Sequence, residues 1–585
     1  MKKNHKILFL NFVLILILFS LAFAQEGVNY VIDMPSPANH IFDVTMKFKS
    51  ADADHTIIMM PSCVPGWYKE QHYAKDVQEF SAIDELAKPL MCERSGLSEW
   101  KVYHEKNEII TVKYRVYSDA KEIYNSYLNS QRALINPAGV CMYIKDKTNL
   151  PCYLTVNFPG YWNTATSLEK KGKNNFYAPN YNILVDSPIV AGNLKIKKIA
   201  YKDVDYYIVI NSMIKFDMEK AARAAEKIIK KQVDTMGGAP VKEYYFLIIV
   251  YPDASQGIEH ASSCVLGISP EGLDIDNILL GFSHEFFHLW NDKCIYAANV
   301  YPYNYNSPNL TKLYWFFEGF TTYYTKIFAK RTNLIKENSI FGGVSRKIED
   351  LDNINSAKHI NLEDASFGGW YLKPQNYDEN FLDFYEKGSL VALIMDLEIR
   401  HATRNKKSLD DVMRYLYVNY GLKNTGVKED ELESIFEKAT GVNLKDIFDD
   451  YVRGVKPINY NKYLNYAGLE LKIEEKYPKP YLGIYKEYDR GGIKVRKVEK
   501  DSPAEKAGIV ADDVIIAIDG IKVFEGDYLK GYKENEKITI SLFRNNVLMT
   551  KQAVLTKKGE KKYSIDKLKN PDALQKEILK SWLGN

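Results

Sequence analysis

Residues 284–288 read His-Glu-Phe-Phe-His. In a helix, two imidazoles four residues apart lie on one face, so both can reach a single ion. The Glu directly after the first His lies beside that ion, where it can take a proton from an activated water. A catalytic zinc commonly takes three protein ligands and keeps one position open. The run Trp315-Phe-Phe-Glu-Gly-Phe-Thr-Thr-Tyr-Tyr324 offers the third. Glu318 is an acid inside an aromatic stretch, where an unpaired carboxylate is costly and a cation removes the cost. His284, His288 and Glu318 are thus the candidate metal ligands, and Glu285 is the candidate general base.

Two other stretches place polar groups next to apolar ones. Gly257-Ile-Glu-His260 follows a strand expected over Tyr244–Val250 and precedes the His-bearing helix. A Glu near an edge strand could bind a cationic substrate terminus. Tyr385-Glu-Lys-Gly388 opens an apolar helix, Leu390–Ile399. A Tyr hydroxyl there could donate to the oxyanion that forms at an attacked peptide carbonyl. Alone, neither pattern is distinctive: Tyr385 is one of 43 Tyr.

The elements that must position these groups form a multidomain α+β chain of 585 residues, enough for three or four domains. Residues 25–200 read as a β-sandwich or saddle, with strand-like runs at Tyr30-Val-Ile, Ile41–Met46 and Ile109–Val116 broken by Pro65-Gly66 and Pro159-Gly160. Residues 201–460 read as the domain of the metal motif, with a helical C-terminal part. Its first long helix has Asp217 as N-cap, an apolar stripe through Ala221, Ala225, Ile228, Ile229 and Val233, and Gly237-Gly238 as its stop. The motif helix is expected around 278–291. Ser408 and Asp430 are expected to cap two later helices, 409–420 and 432–439. A Tyr-, Lys- and Pro-containing connector, 455–478, leads to a small module at 478–557, and 558–585 reads as a Lys-rich, helical tail.

Composition narrows the class. With 78 basic and 75 acidic side chains the net charge is +3, which leaves no footprint for nucleic acid. Lys2, Lys3 and Lys6 precede an apolar stretch, Ile7–Leu21, and Ala22-Phe23-Ala24. That is the pattern of a signal peptide over 1–24, with Gln25 as the first mature residue. The stretch is shorter than the about 20 residues a membrane span needs. The chain is therefore expected to be periplasmic or secreted, with no stable membrane span after cleavage. Export permits disulfides, but sequence does not choose between pairings of Cys63, Cys92, Cys141, Cys152, Cys264 and Cys294 and free buried thiols.

With these residues in view, the chain resembles the glycyl aminopeptidase family of zinc metallopeptidases that carry a PDZ module. That family belongs to the wider gluzincin group, in which HExxH and a later Glu hold zinc. The matching segments are His284–Asn291, Trp315–Tyr324 and Tyr385–Leu393, with Gly257–His260, Asp449–Gly454 and Leu184-Val-Asp-Ser-Pro-Ile189 alongside. The resemblance implies a thermolysin-like catalytic domain behind the β domain. It implies one zinc per chain at His284, His288 and Glu318, Glu285 as base and Tyr385 as oxyanion donor. It suggests Glu259, with Gly257 and His260, for the substrate amine, although related aminopeptidases show a GxMEN-type strand here. The family's β domain also shows a Trp-x-Pro-Gly-x-Tyr-like turn. This chain has Cys63-Val-Pro-Gly-Trp-Tyr68, a change expected to alter one packing residue and leave the catalytic set untouched.

The C-terminal module resembles a PDZ domain of the bacterial-protease type. Tyr481-Leu-Gly-Ile484 opens it, strands are expected at 493–498 and 514–518, and Ser502–Gly508 lies between them. A Gly-containing loop there would present N–H groups to a peptide's C-terminal carboxylate while the peptide adds as a strand, making Tyr481, Leu482, Gly483 and Ile484 the candidate contacts. A PDZ fold that only packs is the alternative.

The leading expectation is a secreted zinc aminopeptidase that releases small N-terminal residues, Gly or Ala, from peptide or protein substrates. Two others stand beside it: a zinc endopeptidase with PDZ-assisted substrate capture, and a non-catalytic PDZ peptide-binding protein.

Overall fold

In the computed structural model, the described residues are 27–211, 216–252, 255–271, 275–371, 377–489 and 491–584; the expected signal peptide, 1–24, lies outside them. The chain divides into two compact units. One holds the residues up to Leu469 together with the stretch from Lys567 onward; the other is Glu470–Asp566. No helix among the described residues is long and apolar enough to cross a membrane.

The N-terminal part is β-rich, with three sheets over one core. Strands Val28–Asp33 and Ile41–Lys49 alternate buried and half-exposed residues, so Val28, Tyr30 and Ile32 face inward with Phe42, Val44, Met46 and Phe48. They pair antiparallel within an eight-stranded sheet. Two four-stranded sheets, containing His55–Met59 and Arg132–Ile135, close over the same core. Several buried Tyr hydroxyls donate to backbone carbonyls, as when the Tyr30 hydroxyl donates to that of Met142 at 2.6 Å.

The catalytic part opens on a five-stranded sheet, in the spatial order 195–201, 204–211, 243–250, 263–268, 255–260. Strand Val204–Asn211 runs parallel to Glu243–Val250, and a helix, Met218–Met236, makes the crossover. The Asp217 carboxylate accepts from the Lys220 N–H, and Gly237 closes the far end at φ +86. These are the start and stop read from sequence, because capping is a local matter. Strand Ser255–His260 lies at the sheet edge and pairs antiparallel with Ser263–Ile268.

Helices follow. The motif helix is Ile275–Phe287, three residues earlier at its start than expected and ending one residue before His288. Ser408 caps its helix through a capping box with Asp411, but that helix ends at Leu416 and continues as a π-helical turn, 417–421. Asp430 does not cap the next helix: Leu432–Thr440 begins after Glu431, with no side-chain cap.

The last hundred residues are arranged differently from a module with a trailing tail. Strands Leu469–Tyr481 and Thr556–Lys567 pair as a two-stranded ribbon. The stretch read as a Lys-rich tail therefore divides into a strand and a helix, Ala573–Leu583. That helix buries Ile578, Trp582 and Leu583 against the catalytic part. Its Trp582 indole donates to the Tyr323 hydroxyl at 2.8 Å, and Arg331 Nε donates to the Trp582 carbonyl at 3.0 Å. Charge dominates the composition of this stretch, and that masked the few apolar residues that dock it. Within the second unit, Gly492–Val498, Val514–Ile518 and Lys537–Arg544 form the PDZ sheet, and Pro503–Lys506 is a short helix. All six Cys are unbridged.

Candidate metal centre

Two helices bring the three candidate ligands together. His284 lies near the end of Ile275–Phe287, and His288 lies in the turn that continues it, its N–H still directed at the His284 carbonyl. Glu318 lies in Tyr314–Arg331, a helix buried nearly all round by Trp315, Phe316, Phe317 and Phe320. The two Nε2 atoms stand 3.2 Å apart, and Glu318 Oε2 lies 3.7 Å from His284 Nε2 and 3.4 Å from His288 Nε2.

The outer nitrogens are occupied elsewhere. His284 Nδ1 is 3.1 Å from Thr325 Oγ1, and His288 Nδ1 is 2.9 Å from the Asn291 carbonyl. An Nδ1–H donated to those oxygens leaves both Nε2 lone pairs converging on one point. Two ligands at about 2.1 Å from a tetrahedral zinc stand about 3.4 Å apart, so this N₂O set fits zinc in spacing and in chemistry. The Asn291 side-chain amide donates to the carbonyls of Phe316 and Phe317 and to Thr321 Oγ1, fixing the second His against the Glu318 helix.

Electrostatics match a site built around a cation. Burial alone would disfavour the His288 imidazolium, but the Glu318 carboxylate outweighs it and holds His288 up to about 10. Burial likewise disfavours the Glu318 carboxylate, yet the two imidazoles hold it well below the usual range. A bound divalent cation would take over the positive charge that His288 otherwise supplies.

Glu285 is buried beside the triad, and burial pushes its carboxyl up to about 8. The edge strand Ser255–His260 passes directly over it: a Cβ on Gly257 would lie 2.0 Å from Glu285 Oε1. Only a glycine permits that approach. Side chains alternate along a strand, so Gly257 and Glu259 share a face. The oxygens of Glu259 and Glu285 come within 4.8 Å of a His288 ring nitrogen. His260 points to the other face and pairs with Asp186, Nδ1 to Oδ1, at 2.9 Å. Of the three residues considered for the substrate amine, Glu259 comes near His288, Gly257 lies against Glu285, and His260 pairs with Asp186 instead. A cavity of about 400 Å³ runs from Gly257 past Leu266 and Gly281 to His284, Glu285 and Thr325.

Glu259 has a neighbour that sequence gave no reason to single out. The Lys293 ammonium, itself buried, lies 3.6 Å from Glu259 Oε1, 3.8 Å from Asp186 Oδ1 and 3.9 Å from Asp292 Oδ2. It sits five residues beyond His288, after Asp292, whose φ of +113 turns the chain back toward the site. Glu259 Oε1 accepts no hydrogen bond.

Tyr385 reaches the triad from the helix Phe384–Ala402, where Asp383 caps the first turn. Burial, and then the carboxylates of Glu318 and Glu259, push its hydroxyl well above the ordinary tyrosine value, so it stays a donor. The turn Cys63–Tyr68 also reaches the site, through its last residue rather than through Cys63. Tyr68 donates to Glu318 Oε1 at 2.6 Å.

The PDZ candidates lie in the second unit. Tyr481 ends one strand and Ile484 begins an edge strand, Ile484–Asp489, with Leu482 buried and Gly483 at φ +86 between them. A Cβ on Gly483 would lie 2.2 Å from Ser502 Cβ. The carbonyls of Leu482 and Gly483 accept from Ala504 and Glu499.

Comparison with known proteins agrees with this architecture. Residues 29–193 match the family model described as the peptidase M61 N-terminal domain, 278–391 that of the M61 glycyl aminopeptidase, and 494–540 a PDZ domain. The fold is that of a crystal structure of an aminopeptidase N family protein from Idiomarina loihiensis, with 23% identity and a TM-score of 0.86 over 95% of this chain and 100% of that one. An M1 zinc metallopeptidase from Deinococcus radiodurans superimposes more loosely: 10% identity and a TM-score of 0.46, over 74% of this chain and 94% of that one. The serine protease Do-like HtrA of Bacillus subtilis (strain 168) is 29% identical over 147 residues, 24% of this chain; HtrB of that strain is 28% identical over 146. The chain spans about a third of the length of these curated relatives, 32% and 31%. The chain thus carries, in order, matches to the peptidase M61 N-terminal domain, to the M61 glycyl aminopeptidase and to a PDZ domain.

Proposed function

We propose that the chain is a zinc-dependent aminopeptidase that releases small N-terminal residues such as Gly or Ala. The observation that carries the reading is the convergence of His284 Nε2, His288 Nε2 and Glu318 Oε2 beside the buried Glu285 carboxyl. When bound, zinc supplies a Lewis acid that activates water and polarises a carbonyl. A peptide lying along the edge strand Ser255–His260 gains main-chain hydrogen bonds and brings a carbonyl over the triad. Glu285 takes the proton from the attacking water and hands it to the leaving amine. The Tyr385 hydroxyl donates to the carbonyl oxygen as that oxygen gains charge. Glu259, with one buried oxygen that accepts no hydrogen bond, would receive the substrate ammonium.

An endopeptidase is the second reading, and Lys293 favours it: an ammonium 3.6 Å from Glu259 offsets the charge that an N-terminus would seek. A panel of free-amine dipeptides and N-blocked peptides separates the two, with chelation and zinc restoration as the control. Hydrolysis of free-amine substrates alone supports the first reading; equal cleavage of blocked peptides would sink it.

The basic-apolar-small pattern of residues 1–24 supports an extracytoplasmic location. The exposed edge Ile484–Asp489 supports capture of peptide C-termini by the PDZ domain.

A further inference from the structure

The turn Cys63–Tyr68 belongs to the N-terminal β domain but ends inside the metal site. Val64 and Trp67 close it through an isolated bridge, and Trp67 stacks on Tyr124 with centroids 4.0 Å apart. Gly66, at φ +81, lies against the amine-site carboxylate: a Cβ there would stand 2.4 Å from Glu259 Oε1. Two residues on, the Tyr68 hydroxyl donates to Glu318 Oε1 at 2.6 Å. The Tyr68 ring is held by Tyr314, 4.2 Å away between centroids, with Trp370 and Phe384 each at 6.2 Å.

This contact divides the Glu318 carboxylate between two tasks. Oε2 faces the two imidazoles, while Oε1 accepts from Tyr68. The last torsion of a Glu side chain is broad and roughly two-fold. Without a partner on Oε1 the group can swing, or offer both oxygens at once. With the hydroxyl in place it presents one oxygen in one direction. Metal ligands generally need such an outer partner to hold their orientation.

We propose that Tyr68 is a positioning residue of the metal site, holding Glu318 as a one-oxygen ligand, so that the N-terminal β domain supplies part of the centre. The proposal rests on the zinc reading above. Tyr68→Phe removes the hydroxyl and keeps the ring among Tyr314, Trp370 and Phe384.

The test uses the full chain, stripped of metal and titrated with zinc against a chromophoric chelator, with hydrolysis followed in the same samples. The expected result is that Tyr68→Phe binds zinc about 10- to 100-fold more weakly. It should regain hydrolysis at saturating zinc, with the parent's KM and with metal-free melting unchanged. Parental zinc affinity would overturn the proposal. So would hydrolysis that excess zinc does not restore, since Tyr68 would then act on substrate. A matching loss of stability in the metal-free protein would overturn it too, because packing would account for the effect. If the parent itself takes up no zinc, the zinc reading fails along with the proposal, and that outcome is distinct from a Tyr68→Phe variant that binds as the parent does.

Discussion

Gly319 and Gly388 meet backbone to backbone where two buried helices cross. A Cβ on Gly319 would lie 2.6 Å from Gly388 Cα, and one on Gly388 would lie 2.6 Å from the Trp315 carbonyl. Glu318 is one residue from this crossing and Tyr385 is three, so the contact sets how close ligand and hydroxyl can come. Gly388→Ala should separate the helices. The change gains about 1 kcal/mol of helix propensity, and overpacking costs about 1–3 kcal/mol. The variant should therefore be less stable in urea and should lose activity together with zinc. An Ala variant with parental stability and parental activity would show that the crossing has slack.

Gly257 serves the chemistry directly. Its Cα faces the Glu285 carboxylate, with no room for a methyl group. Gly257→Ala should push that carboxyl aside by the order of an ångström, lowering kcat about 100-fold while zinc content stays the same. Glu285→Gln should lower kcat further, by about 100- to 10,000-fold, again with zinc retained. Steady-state kinetics beside metal analysis checks both variants.

Lys293 is the buried cation among Asp186, Glu259 and Asp292. Lys293→Met takes the shared ammonium from these buried acids and should cost about 3–5 kcal/mol at neutral pH, read by urea denaturation. Burial raises the Asp186 carboxyl, but Lys293, His260 and the Ala261 N–H outweigh it, so its folded value lies below the ordinary one. A depressed folded value gives stability that is present above the unfolded carboxylate range, about 3.9, and is lost as pH falls through the folded value. The gap between parent and Asp186→Asn should thus be constant from neutral to mildly acidic pH and narrow only below about pH 4. A gap that widens with acid would contradict the pairing.

The C-terminal helix belongs energetically to the catalytic part. Trp582 is 1% exposed, and its indole donates to Tyr323, whose hydroxyl donates in turn to Asp396 at 2.5 Å. Trp582→Ala should destabilise the catalytic unit by about 3–5 kcal/mol, whereas residues 470–566 should melt as before. Calorimetry of the whole chain, with two separable transitions, checks this.

These cases show what could be read beforehand. Spacing within one helix carried His284, Glu285 and His288, and cost arguments about a buried acid carried Glu318, because both are local to a few residues. The helix at 218–236 was legible from its caps and stripe for the same reason. Lys293 and Tyr68 were not: each is one of many residues of its kind, and its meaning depends on a partner far away in the chain. Tyr68 and Glu318 are 250 positions apart. The return of 573–583 to the catalytic part depends on Ile578, Trp582 and Leu583 finding partners far away in the chain, which no periodicity announces. Alternation placed Glu259 and His260 on opposite faces only once the strand and its edge position were known.

The central claim is a zinc held by His284, His288 and Glu318 that this chain needs in order to cut peptides. Metal analysis of the purified full-length protein and of Glu318→Ala, with hydrolysis of a free-amine dipeptide in the same samples, tests it most directly. The account predicts one zinc per chain in the parent, its loss in the variant, and hydrolysis that chelation abolishes and zinc restores. A parent that contains no zinc, or that cleaves the dipeptide equally well after complete chelation, would contradict it.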